Sequence, residues 1–292
     1  MTDRARIERM MRWATYASVT IACILIVAKA AVWLHSQSTA MLASLVDSSL
    51  DAAASLINLL ALRLALTPAD REHRFGHGKA EAVAGLAQSA VIAGSALFLL
   101  LEAARRIADP LPVAGAHEGV AVSLLAIVLS GGLVLYQRHV VRLSGSLLVA
   151  ADRLHYLSDL LLNAAVIVAL VLAEYLGWAL ADPLFGLGVA FYILYGAWGI
   201  GRRAFDHLMD HELSDEARER IKAIAGRQHG VLNIHDLRTR ESGMRQFIQF
   251  HLTIDRHAPL SAAHAITLSV HRAVQQEFPD ADIIIHQDPS ET

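Results

Sequence analysis

The stretch SLVDSSLDAAASLINLLALR (residues 44–63) is long and apolar enough to cross a lipid bilayer, yet it contains two aspartates, Asp47 and Asp51. A bilayer core requires about 20 mainly apolar residues per spanning helix. A carboxylate at the centre of such a helix costs about 2.5–3.5 kcal/mol on an insertion scale, so it is expected to face a bundle interior or a wet cavity. The stretch therefore predicts a membrane protein with a functional polar path.

The composition of the whole chain agrees with a membrane protein. Only 18% of the 292 residues are charged, against about 25% in soluble domains, and 54% are hydrophobic. The single cysteine, Cys23, excludes an intrachain disulfide and a thiolate zinc cluster. The N-terminal segment is charged and the apolar run after it is long, so we expect no cleavable signal peptide.

Six stretches are predicted to span the membrane, namely 14–34, 40–66, 80–107, 117–138, 147–176 and 183–206. Lys and Arg concentrate in the N-terminal segment, in the second and fourth connections and after the last span. Arg105 and Arg106 near the third connection are the exception and are outnumbered, so the positive-inside rule places both termini in the cytoplasm. We predict a multi-pass α-helical membrane protein with three parts: a cytoplasmic tail (1–13), a six-helix domain (14–209) and a cytoplasmic domain (210–292).

The cytoplasmic domain is predicted to be a small α+β layer of order αββαβ. Its elements are a helix 215–228 after Ser214, strands 231–240 and 246–255 around a turn at Glu241 to Gly243, a helix capped by Ser261 and ending near Phe278, and a strand 282–287.

A second polar pair, His155 and Asp159, lies in the fifth span. Each pair has i, i+4 spacing, so both of its members lie on one helical face. If the two faces meet, three carboxylates and one imidazole converge, and zinc accepts four such ligands. An all-oxygen set would suit Mn²⁺ or Mg²⁺ better, so the imidazole favours Zn²⁺, Fe²⁺ or Cd²⁺. The alternative is a hydrogen-bonded contact between helices that only satisfies polar groups.

Several stretches resemble the cation diffusion facilitator family, and within it the bacterial ferrous-iron and zinc efflux pumps. They are residues 44–63, PADREHRFGHGKAEAVAGLAQS (68–89), ADRLHYLSDLLLNAAV (151–166), HDLRTRESG (235–243) and IIIHQDP (283–289). The resemblance covers nearly the whole chain. It implies six membrane helices plus a cytoplasmic domain resembling a metallochaperone, paired as a homodimer in the bacterial inner membrane.

The resemblance also implies a function and its partners. The chain is expected to export a divalent metal ion, zinc above all and also iron(II) or cadmium, in exchange for protons by alternating access. The expected partners are a second copy, the lipid bilayer and protons, with no nucleic acid. Zinc is expected both as cargo and as a structural or regulatory ion.

The family's metal positions fall on three groups of residues. The transport site is expected at Asp47, Asp51, His155 and Asp159, a loop site at Asp70, His73 and His77, and a binuclear cytoplasmic site at His235, His251, His264, His286 and Asp288. Lys79 and Asp210 match an interlock between membrane and cytoplasmic parts. From spacing alone, the loop residues are equally compatible with an ordinary solvated loop, and Lys79 and Asp210 with charges at a membrane boundary.

Two other classes of function compete with transport. An intramembrane metallohydrolase needs an open zinc position and a general base, whereas this chain has no H-E-x-x-H and a complete set of four ligands. A membrane-anchored metal sensor would need fewer helices and no buried carboxylates. We therefore expect a transporter without enzymatic activity.

Overall fold

The computed structural model describes residues 3–37, 39–108, 120–176, 178 and 180–291. Its helices are α1 (Asp3–Ser36), α2 (Thr39–Ala65), α3 (Lys79–Ala108), α4 (Val120–Ser144), α5 (Leu147–Leu176), α6 (Ala181–Leu208), α7 (Asp215–Gly226) and α8 (Leu260–Glu277), and its strands are β1 (Asn233–Ser242), β2 (Arg245–Ile254) and β3 (Asp282–Pro289). The chain forms two compact units. The first contains Met1–Thr67 and Ala80–Phe205, and the second contains Pro68–Lys79 and Asp206–Thr292.

The first unit consists of long helices, which confirms the predicted fold class. Within the described residues, five of them, α1, α2, α3, α4 and α6, are long and apolar enough to cross a membrane. The sixth, α5, has 30 residues and carries Asp152, Arg153 and Asp159 in its first half. From Asp3 onward the segment predicted as a cytoplasmic tail is helical and continuous with the first span.

Small residues allow three of the membrane helices to pack closely. Ala96 of α3, Ala151 of α5 and Ala197 of α6 are each at most 1% exposed and belong to one apolar cluster. A Cβ on Gly196 would lie 3.0 Å from the side chain of Leu154, so the backbone of α6 approaches α5 directly. Such small contact residues are typical of membrane helices, which gain little hydrophobic energy from leaving lipid.

The second unit is a three-stranded sheet with two helices. Its strand order is β1-β2-β3, where β1 and β2 are antiparallel and β2 and β3 are parallel. Fully buried residues from α7, β2 and α8, such as Ile221, Phe250 and Val274, form its core. The predicted order αββαβ is confirmed.

Two local predictions in this unit were wrong. Ser261 does not cap α8, because the helix begins at Leu260 with Pro259 at the N-cap position, and Ser261 therefore lies in the first turn. The hairpin turn is displaced towards the C-terminus, because β1 continues to Ser242 and Gly243 supplies the positive φ of +60° that a tight connection requires. The predicted cap Ser214 is confirmed, since its side chain accepts from the Ala217 amide.

Candidate metal centres

Three polar side chains of the first unit converge inside the helices. Nε2 of His155 lies 3.0 Å from Oδ1 of Asp51 and 3.8 Å from Oδ2 of Asp159. The ligand atoms of these residues, on α2 and α5, all lie within 4.8 Å of one another. One imidazole and two carboxylates form a set of N and O donors that suits zinc and similar divalent ions.

Asp47 lies one helical turn before Asp51 and borders the same space. Two cavities of about 280 and 510 Å³ are each lined by Asp47, Asp51 and Asp159, and the larger one also by His155. Asp47 is not part of the closely spaced group of three ligands. The structure therefore places the ligand atoms of three of the four predicted transport residues within 4.8 Å of one another. The fourth residue, Asp47, lies on the wall of the same cavities.

A buried aspartate joins the helices that carry this site. Asp152, 1% exposed, accepts hydrogen bonds from Ser18 of α1, Asn58 of α2 (3.1 Å) and Gln137 of α4 (2.6 Å). Tyr156, four residues later on α5, donates to the Ser18 carbonyl at 2.9 Å. Asp152 and Tyr156 thus fasten α5 to its neighbours, which leaves His155 and Asp159 to face the cavities.

A lysine that the spacing of polar residues did not predict also lies near the site. Lys29 of α1 donates to the Ser44 carbonyl (3.2 Å) and to the Ser48 hydroxyl of α2, and it lines the smaller cavity. It is the only charged residue between 14 and 34, and that isolation in an apolar span was the available signal.

The three loop residues come together in the second unit. Nδ1 of His73 and Nε2 of His77 lie 3.2 and 3.4 Å from the two oxygens of Asp70, and the imidazole rings are 4.5 Å apart. Asp70 also accepts from the backbone amides of His73 and Glu72, and the His73 amide above all holds the pKa of this carboxyl below its usual value. An ionised carboxylate beside two imidazoles can ligate a divalent ion.

Four of the five predicted cytoplasmic ligands also meet. Asp288 of β3 lies 2.8 Å from Nδ1 of His251, 3.1 Å from Nε2 of His235 and 3.3 Å from Nε2 of His286. The strand register explains the cluster, because His235 faces His251 on β1 and β2 while His251 faces His286 on β2 and β3. The hydrogen bond with His251 lowers the pKa of Asp288.

The fifth predicted ligand, His264, is exposed on α8 and lies outside the cluster of described side chains. A different carboxylate, Asp236, approaches instead: its Oδ2 is 3.9 Å from Nε2 of His251. Asp236 sits at a bulge of β1 with a φ of +54°, and only the structure places such a bulge.

The two residues of the predicted interlock form an ion pair. Nζ of Lys79 lies 3.0 Å from Oδ1 of Asp210, and Arg240 also reaches Asp210 at 3.3 Å. Partial burial opposes the effect, but hydrogen bonds from Lys79 and Arg240 leave the pKa of Asp210 below its usual value. Gly78 packs against the hairpin so tightly that a Cβ there would collide with the Ser242 carbonyl.

Comparisons with known proteins cover nearly the whole chain. Residues 15–209 match the cation efflux transmembrane domain, and residues 213–290 match the cation efflux protein cytoplasmic domain. The chain is 49% identical over 289 residues to the cation-efflux pump FieF of Shewanella oneidensis, covering 99% of this chain and 97% of that one. It is 48% identical over 282 residues to FieF of Klebsiella pneumoniae, covering 97% and 94%. A solved structure of CzrB is 36% identical and covers 27% of this chain and 98% of that one, with a TM-score of 0.26.

Proposed function

Because the chain belongs to the cation efflux family, whose members export divalent metal cations, we propose that it exports zinc from the cytoplasm in exchange for protons. Iron(II) and cadmium are its further substrates. The principal support is the convergence of Asp51, His155 and Asp159 between two membrane helices, with Asp47 on the wall of the same cavities. One imidazole among the donors favours Zn²⁺ over the harder ions Mn²⁺ and Mg²⁺.

Exchange for protons follows from the chemistry of these ligands. Carboxylate and imidazole groups bind a metal ion only when deprotonated, so metal and protons compete for the same atoms. A site that opens alternately to the two sides of the membrane would then load metal on one side and protons on the other. In this proposal the ion leaves outward while protons enter.

The other two groups supply metal binding on the cytoplasmic side. We assign one ion to Asp70, His73 and His77, and a binuclear centre to the cluster around His251 and Asp288, in which the role of His264 stays a prediction. The centre uses imidazole and carboxylate ligands of the kind that hold structural or regulatory zinc.

The chain acts as a homodimer in the bacterial inner membrane, with both termini in the cytoplasm. Support for the orientation is the concentration of Lys and Arg in the N-terminal segment and in the second and fourth connections. Support for pairing is the match of residues 213–290 to the cytoplasmic domain of cation efflux proteins. Light scattering of the purified chain in detergent tests the homodimer, and the mass of a monomer would overturn it.

Reconstituted vesicles provide the main test. Purified protein in proteoliposomes should move Zn²⁺ faster than Mn²⁺. An imposed pH gradient should change the rate of Zn²⁺ flux, and protons should move in the opposite direction to the metal ion. Asp51→Ala should abolish the flux, whereas Ser49→Ala should retain it, because Ser49 is exposed on the same helix and its hydroxyl donates to the Leu45 carbonyl one turn earlier.

Each part of the proposal has its own contrary result. A zinc flux that does not change with the pH gradient would contradict exchange for protons. A wild-type flux in Asp51→Ala would contradict the assignment of the transport site. Zinc binding without any flux in the wild type would favour a membrane-anchored sensor instead.

A further inference from the structure

Lys29 and Asp47 lie at matching depths on adjacent helices. Lys29 is seven residues before the end of α1, and Asp47 is eight residues after the start of α2. At 1.5 Å per residue, both lie about 10–12 Å from the connection between the two helices. A lysine at this depth is as costly to place in lipid as a carboxylate, so its position calls for a functional explanation.

The ammonium of Lys29 is held in place by neutral acceptors. It donates to the Ser44 carbonyl and to the Ser48 hydroxyl, on either side of Asp47. Within the described part of the chain, no carboxylate lies within ion-pair distance of its Nζ. Its positive charge is therefore not cancelled by a direct partner, and it borders the smaller cavity together with Asp47, Asp51 and Asp159.

This charge acts differently on the empty and the loaded site. Without a metal ion, three carboxylates line one cavity, and a nearby cation reduces their mutual repulsion. With a divalent ion bound, the same cation repels the ion, and the repulsion is strong where water is scarce. Lys29 therefore stabilises the empty site relative to the loaded one.

We propose that Lys29 is a built-in counter-charge to the carboxylates of the transport site, and that it weakens the binding of the metal ion enough for the ion to be released. The inference rests on the proposed transport at Asp51, His155 and Asp159. Lys29 lies towards the connection between α1 and α2, which the distribution of basic residues places outside the cytoplasm. The counter-charge thus stands on the side where the ion leaves.

Three substitutions test the role of the charge. Lys29→Met keeps the length of the side chain without its charge, and it should lower the Kd for Zn²⁺ about tenfold while it lowers both KM and kcat for transport. Lys29→Arg retains the charge and should behave like the wild type. Ser48→Ala removes one hydrogen bond of Lys29 without changing any charge, so it should leave the Kd within about twofold of the wild type.

Binding is measured by calorimetry with Zn²⁺ on the full chain in detergent, and Asp51→Ala identifies the heat that comes from the other sites. Unchanged or weaker binding in Lys29→Met would overturn the inference. An equal effect of Ser48→Ala and Lys29→Met would also overturn it, since Lys29 would then act only as a clamp between helices.

The same measurements separate this inference from the proposed function. If Asp51→Ala loses flux while Lys29→Met matches the wild type, the transport site stands and only the role of Lys29 falls. If Asp51→Ala binds and transports like the wild type, the proposed site fails and the inference fails with it.

Discussion

Nε2 of His155 lies 3.0 Å from Oδ1 of Asp51, which joins α5 to α2 at the level of the cavities. The contact brings the only nitrogen ligand of the candidate transport site against a carboxylate of another helix. Nε2 of His155 is buried and has no hydrogen-bond partner among the described residues, so it is free to accept a divalent ion together with the Asp51 carboxylate. We therefore expect the identity of this one ring to influence which metal ions the site prefers.

His155→Asp should shift the preference of the transporter from Zn²⁺ towards Mn²⁺. The change creates an all-oxygen site, and carboxylate ligands suit the harder ion. The measurement is the ratio of Zn²⁺ to Mn²⁺ flux in proteoliposomes, which we expect to fall by at least about tenfold. His35→Asp, at the exposed end of α1, is the matched control and should keep the wild-type ratio. A ratio that stays unchanged in His155→Asp would place the selective ligand elsewhere.

Asp152→Ala should destabilise the membrane domain by about 1–3 kcal/mol, because it removes the acceptor of the buried Asn58 amide and one of the two acceptors of the Gln137 amide. Thermal unfolding of the detergent-solubilised chain measures the loss. Asp182→Ala is the control: it removes an exposed ion pair with Arg106, and we expect a change of about 0–1 kcal/mol. Equal unfolding temperatures for the two variants would show that the Asp152 network does not hold the helices together.

The ion pair of Asp210 should make the stability of the folded chain depend on pH. Hydrogen bonds from Lys79 and Arg240 lower the pKa of Asp210 in the folded state. The ion pair therefore contributes its full stability above the pKa of Asp210 in the unfolded chain, about 4. This stability is lost as the pH falls through the lower pKa of the folded state. Asp210→Asn should therefore unfold at a lower temperature than the wild type at pH 7. The gap should close below about pH 4.

Thermal scans of both proteins from pH 7 to pH 3 measure this gap. Lys222→Gln is the control, because it removes an exposed ion pair with Glu219 on α7, and we expect such a loss to change the unfolding temperature little at any pH. A gap between Asp210→Asn and the wild type that is the same at pH 3 and pH 7 would contradict the assigned cause.

His251→Ala should reduce the number of zinc ions that the purified chain retains. His251 lies between His235 and His286 on the sheet and contacts Asp288 at 2.8 Å, so its loss removes the centre of the cluster. Metal analysis after dialysis gives the count. His257→Ala, exposed in the turn after β2, should retain the wild-type count. The same zinc content in His251→Ala and the wild type would contradict zinc binding by the cluster around His251.

Much of the candidate transport site could be predicted from the sequence, because its signals are local. Residues four apart on a helix always share a face, so the pairs 47/51 and 155/159 are visible without a structure. The fold class followed from the length of the apolar stretches in the same way. Lys29 was missed because it has no spaced partner on its own helix; its acceptors lie on α2.

The cytoplasmic cluster shows the limit of spacing arguments. His286 and Asp288 share a face of β3 by alternation, and the pairing of His235 with His251 follows from the hairpin. The approach of Asp236 depends on a β-bulge, and the exposed position of His264 depends on where α8 begins. Neither feature leaves a pattern in the sequence, because each results from packing between elements.

By itself, the sequence determined which helices are apolar, which faces are polar and which residue types could bind a metal ion. These properties depend on composition and on the period of a helix or strand, which are local. The tertiary structure decided which polar residues meet: Asp51 with His155, Lys29 with Ser48, and Asp152 with three other helices. Such meetings depend on how helices far apart in the chain pack together, because a buried polar group is tolerated only where another element supplies its partner.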